Sequence, residues 1–271
     1  MINIINKNKT TIISVCVIVL FSMCMVFMEN EGKVVEANGT TLSTKKIEWG
    51  VKRNNNHKQP DLGSTNTKIL STYNGIYMGN SESKKVYLTF DSGYEAGYTE
   101  KILEVLKQNN VKATFFITAH YVNTQPDLVK RMIDEGHIVG NHTVNHKSMP
   151  SLTNEQIKQE VMNLHTTIYE KFGYEMKYMR PPKGEYSESS VAYCQSLGYT
   201  TVMWSLAYDD WDEAKQGREE YGKKKILDNI HNGAVILLHG TSKDNSIILD
   251  SVIKEIQNMG YIFASLDEFE C

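Results

Sequence analysis

Two imidazoles four residues apart, His142 and His146 in Gly140-Asn141-His142-Thr143-Val144-Asn145-His146, open the chemical reading of this chain. At that spacing both rings share one side of a helical turn and can reach a single metal ion. Such pairs arise often by chance, and two solvated histidines are the plain alternative. Position adds weight: the pair follows the apolar run His137-Ile138-Val139, and barrel folds gather catalytic groups just past buried strands. Other apolar runs end in reactive side chains too. Asp91-Ser92-Gly93-Tyr94-Glu95 follows the first, Arg180-Pro181-Pro182-Lys183-Gly184 the fourth, Asp209-Asp210-Trp211 comes after the fifth, and His239-Gly240 ends the sixth. Singly, Asp91 reads as a helix cap, Arg180 as a salt-bridge partner and His239 as a core histidine. Jointly, their placement at strand ends that share one face of a parallel barrel is much harder to dismiss.

Elements that could position these groups are legible from residue 85 onward. Strands are expected at 86–90, 113–118, 137–141, 177–180, 200–204, 234–238 and 261–266, alternating with helical patterns. Thr153 and Gln156 form a capping box ahead of the stripe Ile157, Val161, Leu164, Ile168 and Phe172, which stops at Gly173. Gly136, Gly198 and Gly260 close other helices just before strands. Seven strands alternating with helices imply an α/β fold with a parallel sheet, which suits a barrel slightly smaller than the eight-stranded kind. An open doubly wound sheet is the alternative. No glycine-rich phosphate loop follows the first strand, so a nucleotide-binding fold has no support.

The chain has 271 residues, 41% hydrophobic and 23% charged, with a net charge of -3 that argues against a nucleic-acid partner. Lys7 and Lys9 precede an uncharged run from Thr10 to Met28, and Glu29 and Glu31 follow it. That charge order predicts export, with residues 1–30 acting as a signal peptide or as an N-terminal membrane anchor. Residues 31–84 are rich in Asn, Thr, Ser, Lys and Gly and read as a polar linker or an arm draped over the domain. Trp49, Tyr73, Ile76 and Tyr77 are its candidate anchors, and His57 reads as a surface residue without a partner. Residues 85–271 form the globular part. Cys16 and Cys24 fall in the apolar run, leaving Cys194 and Cys271, either a pair or a buried thiol and a frayed end.

At Thr89-Phe90-Asp91-Ser92-Gly93, His142-Thr143-Val144-Asn145-His146, Arg180-Pro181-Pro182-Lys183-Gly184, Asp210-Trp211 and Leu237-Leu238-His239 the chain resembles the polysaccharide deacetylases that share the NodB homology domain, carbohydrate esterase family 4. The resemblance spans residues 85–268. It is nearest to the delta-lactam biosynthetic, or muramic acid, branch of the spore cortex, through Tyr87-Leu88-Thr89-Phe90-Asp91, Gly93-Tyr94-Glu95 and Trp204-Ser205. It implies a distorted (β/α)7 barrel and metal-dependent removal of acetyl groups from N-acetylated sugars in a peptidoglycan glycan strand, by a monomer facing the cell wall or cortex. Mapped by motif, His142 and His146 bind a divalent ion, zinc first. Asp91 matches the base, Arg180 its partner, His239 the acid and Asp210 the support of that histidine. Trp211 lines the pocket, Tyr94 shapes the groove, and the backbone N–H of Lys183 is the oxyanion donor.

Two residues depart from the family pattern. Ser92 stands where most members carry a second Asp, the third metal ligand, and a neutral hydroxyl is a much poorer ligand. Lys183 stands where enzymes acting on glucosamine polymers carry an aromatic residue; it is either a partner for the lactyl carboxylate of peptide-free muramic acid or a solvated lysine. Secondary candidates are His120, Glu185 and Tyr186 near the pocket and Asp209 as a substitute for Asp210, with His165 and His231 structural. Three activities remain open: muramic acid deacetylation on the route to muramic delta-lactam, N-acetylglucosamine deacetylation in peptidoglycan or chitin-like chains, and metal-free carbohydrate binding by a pseudoenzyme.

Overall fold

Residues 41–270 are described in the computed structural model of the protein. The apolar run 10–28 and Cys271 lie outside them, and among the described residues no helix is long and apolar enough to cross a membrane. Composition predicts a polar linker or an arm draped over the domain before residue 85, and the described part of that stretch packs with elements of its own. It carries strand β1 (Ile47–Glu48) and helix α1 (Ser64–Thr72), with Leu62 and Leu70 buried. A few large side chains suffice to bury it. Trp49 packs against Tyr77, Tyr186 and Trp204 at ring separations of 6.1, 6.3 and 6.5 Å, and its indole N–H donates to the Trp204 carbonyl at 2.8 Å. His57 is exposed as expected, but its Nδ1 meets the Ile230 carbonyl at 2.8 Å.

The seven expected strands all form, most of them shorter than their apolar runs. They are β2 (Lys85–Ser92), β3 (Thr114–Ile117), β4 (Ile138–Asn141), β5 (Tyr178–Met179), β7 (Thr200–Thr201), β8 (Val235–His239) and β9 (Ile262–Phe263), with β6 (Glu185–Tyr186) pairing antiparallel to β1. The parallel order is β7-β5-β4-β3-β2-β8, and β9 also pairs with β2. A single bridge between Leu206 and Ile236, in place of a full ladder, links the β7 side to β8, so the sheet curls into a distorted barrel. Helices α2 (Thr99–Gln108), α3 (Ala119–Thr124), α4 (Pro126–Asp134), α5 (Asn154–Phe172), α6 (Glu188–Ser196), α7 (Glu219–Asn229) and α8 (Lys243–Asn258) fill the crossovers. Thr153 and Gln156 make the reciprocal cap of α5, and Gly173 ends it at φ 63°, a left-handed value that suits glycine.

Alternation along β2 decides which side chains meet. Val86, Leu88 and Phe90 face the helices and join the large outer core. Tyr87 points the other way into a smaller inner core with Phe116, Val202 and Val235, and Thr89 and Asp91 continue that face. The reactive side chains therefore lie over an apolar floor.

Gly140 makes that floor possible. It pairs across from Phe116, and a Cβ placed on it would lie 2.5 Å from the Phe116 ring. The ring in turn lies under the Arg180 guanidinium, 4.3 Å from its centroid. Gly140→Ala is expected to cost about 1–3 kcal/mol by overpacking and to lower activity with it. Urea denaturation and a rate assay check this; an unchanged midpoint would contradict the packing described.

Candidate active site

At the C-terminal ends of the strands lies a cleft of about 1010 Å³, lined among others by Asp91, His142, His146, Lys183, Trp211 and His239. Asp91, His142, His146, Lys183, Tyr94, Trp211 and His239 thus share one cavity, while Arg180 and Asp210 are buried behind its wall and Ser92 stands apart. It is fully buried, its Oγ has no hydrogen-bond partner and packs against Gly240, and it is not part of the cleft lining.

Arg180 is wholly buried just past the end of β5, and all three guanidinium nitrogens donate. Nη1 donates to Asp91 Oδ1 at 2.8 Å, Nη2 to Thr89 Oγ1 at 2.9 Å and the Met203 carbonyl at 3.3 Å, and Nε to the Val202 carbonyl at 3.1 Å. Burial works to raise the Asp91 carboxyl. The guanidinium, with His142 and His239 adding to it, outweighs that and holds it below the ordinary carboxylate value. Asp91 is therefore an ionised carboxylate held in one orientation and able to accept a proton, its second oxygen 3.5 Å from His142 Nε2.

No helical turn carries the histidine pair. Residues 142–148 form a loop, and Thr143 and His146 adopt left-handed backbone at φ 70° and 54°. Those two turns, not the helical period, bring the rings together. Neighbours hold the loop: Asn141 Oδ1 accepts the Thr143 N–H, and the buried Glu160 of α5 accepts the Asn145 backbone and side-chain N–H groups, each at 2.7 Å. Glu160 escaped the sequence reading. The available signal was a carboxylate set beside Val161 inside an otherwise apolar helix stripe.

The pair suits a metal ion. His142 Nδ1 lies 2.9 Å from the Arg180 carbonyl, which can only accept, so Nδ1 bears the hydrogen and Nε2 presents its lone pair. His146 Nε2 stands 3.1 Å from it, close to the separation of two nitrogens that share one ion at about 2.0–2.1 Å. Burial first, then the neighbouring His142, pushes the His146 ring down to about 4, so it is neutral and free to ligate near neutrality. A third protein ligand is missing: no group of three or more His, Cys, Asp or Glu suited to a metal occurs among the described residues.

Across the cleft, His239 Nδ1 meets Asp210 Oδ1 at 2.8 Å, and the His239 backbone N–H donates to Asp210 Oδ2 at 2.7 Å. Burial disfavours the charged ring, but the Asp210 carboxylate overrides it and raises His239 above its ordinary value. Asp209, the alternative support, pairs instead with Lys215 and Arg218. Trp211, 61% exposed, and Tyr94, 42% exposed, stand on the rim with Lys183 and His120, and the Tyr94 hydroxyl donates to Glu213. Glu185 turns to Lys46, and Tyr186 is buried against Asn66, so neither lines the cleft. His165 bonds Tyr199, His231 bonds Ser205, and Cys194 is buried and unbridged, all as structural residues.

A family model described as polysaccharide deacetylase matches residues 78–202. The peptidoglycan-N-acetylmuramic acid deacetylase PdaA of Bacillus subtilis is 41% identical, over 86% of this chain and 89% of that protein. An uncharacterized 30.6 kDa protein of Geobacillus stearothermophilus is 46% identical, over 84% of this chain and 86% of its own. The solved structure of Bacillus subtilis PdaA, described as a family 4 carbohydrate esterase, superposes with a TM-score of 0.82 at 41% identity, over 84% of this chain and 98% of that one. With Asp91 and His239 on one cleft of a curled parallel sheet and Arg180 behind Asp91, the chain belongs to the polysaccharide deacetylases of carbohydrate esterase family 4, hydrolases of N-acetyl amide bonds.

Proposed function

We propose that this protein is an exported, metal-dependent deacetylase of N-acetylmuramic acid in peptidoglycan. It acts on residues stripped of their peptide, toward muramic delta-lactam in the spore cortex. The observation that carries the reading is the meeting in one cleft of the Arg180–Asp91 pair, two histidine nitrogens 3.1 Å apart and the Asp210–His239 pair, with Lys183 on the rim. The similarity to a protein named for muramic acid deacetylation supports the choice of sugar.

His142 and His146 would hold the ion, zinc by its taste for imidazole, with water in place of the usual carboxylate ligand. An ion held there would supply Lewis-acid polarisation of the acyl oxygen and of water. The chain's own residues do the rest. Asp91 takes a proton from the attacking water, and Arg180 keeps the carboxylate turned toward it. The carbon–nitrogen bond breaks as His239 delivers a proton to the amine, which leaves neutral. Asp210 stabilises the imidazolium before that transfer. Lys183, held at φ 60°, offers its backbone N–H to the oxyanion and its ammonium to the lactyl carboxylate of the muramic ring.

The pH dependence follows from these groups. Asp91, held below 3.8, stays ionised through the working range, and His146 takes up a proton only near pH 4. His239, raised above 6.5, must be protonated to act, so the rate falls as pH rises through that value. A kcat profile is expected to show a basic limb above pH 6.5 and no acid limb until the approach to pH 4; a basic limb below 6.5 would contradict the acid's assignment.

Lys183→Ala separates the two sugars. Acetate release from peptide-free muramic substrate is expected to show KM raised about two- to fivefold, the scale of one exposed ion pair, with glucosamine oligomers unaffected. Equal losses on both would remove the lactyl contact. A metal-free binding protein is the competing outcome: no zinc bound in calorimetry, and no acetate released with any divalent ion.

A further inference from the structure

One fully buried polar side chain beside the cleft has no part in the chemistry above. Asn245 is the third residue of α8, and its backbone N–H is capped by Ser242 in the ordinary way. Its side chain turns back beneath the end of β8. Nδ2 donates to Asp210 Oδ2 at 2.5 Å and points to the His239 carbonyl at 3.4 Å, while Oδ1 lies 2.6 Å from the Tyr208 hydroxyl.

The direction of each hydrogen bond in this chain follows from one end. The Asp210 carboxylate accepts from the His239 backbone and ring, so the amide must present its NH2 face to Oδ2. Its carbonyl oxygen then faces Tyr208, and the phenol must donate. Burial, with Asp210 and Asp244 adding to it, pushes that phenol far above its ordinary value, so the donor is always loaded. Tyr208 thus prevents the amide from flipping, the amide holds Asp210 in plane with the imidazole, and Asp210 keeps the ring hydrogen on Nδ1.

We propose that Asn245 is a positioning residue for proton donation: by clamping Asp210 it sets the tautomer and orientation of His239, with Tyr208 locking the amide. This rests on the reading of His239 as the acid. A capping asparagine that merely started α8 would not need a side chain aimed at the carboxylate, since Ser242 already caps the helix.

Asn245→Ala and Tyr208→Phe test the inference, the second being nearly isosteric and kept in case the first does not fold. Other titratable groups facing His239 are Asp91 on β2, Arg180 after β5, and His142 and His146 after β4, and all are left in place. In Asn245→Ala, kcat is expected to fall about 10- to 100-fold with KM changed less than twofold, and the basic limb to move to lower pH, because a carboxylate free to rotate holds the imidazolium less firmly. Tyr208→Phe is expected to shift the limb the same way by less. Nitrogen NMR of His239 in the resting protein supplies a readout apart from turnover, with loss of the single Nδ1–H tautomer in both variants. A folded variant with wild-type tautomer and wild-type limb overturns the proposal. If His239→Ala keeps full activity while the tautomer still changes in Asn245→Ala, the acid assignment fails and the clamp stands.

Discussion

A buried charge pair anchors the site. Arg180 is sealed between the inner faces of the strands, and a guanidinium there is tolerable only because all three nitrogens donate and Asp91 answers its charge. Removing one member of such a pair leaves the other uncompensated, at about 3–5 kcal/mol. The same contact serves the chemistry. It keeps Asp91 ionised in a place where burial would neutralise it, and it fixes the Arg180 backbone, whose carbonyl orients His142. Asp91 and His142 are thus both set by one residue.

Around that pair the site is built from supports that are themselves buried polar side chains. Glu160 templates the loop of His146, Thr89 and the strand carbonyls seat Arg180, and Asn245 holds Asp210. Each joins a helix or strand to a loop that has no regular hydrogen bonding of its own. The unusual backbone at Thr143, His146 and Lys183 persists because these contacts over-determine it. Ser92 is the weak point. An orphaned hydroxyl lies against Gly240 where a carboxylate would add charge, so an ion held by the two histidines would have less charge compensation.

The parts legible in the sequence were those governed by local rules. Strands buried on both faces print as apolar runs, so all seven parallel strands appear at their expected places, and the Thr153–Gln156 box marks the start of α5. Asp91, Arg180, Asp210 and His239 were readable because the ends of parallel strands converge. What local rules do not govern was misread or missed. The histidine spacing suggests a helix, but left-handed Thr143 and His146 produce the convergence. The polar composition before residue 85 marks an arm with Trp49 among its anchors, but not that anchor's partners, which lie more than a hundred positions away. Asn245 carries a cap-like position that hides its side chain's use.

The central claim is that these groups deacetylate muramic acid, and mass spectrometry of peptide-stripped glycan strands after incubation with the protein and zinc tests it directly. The account predicts loss of an acetyl group on muramic residues, abolished in Asp91→Asn and by chelation. Acetyl loss confined to glucosamine residues, or none with any divalent ion, would contradict it.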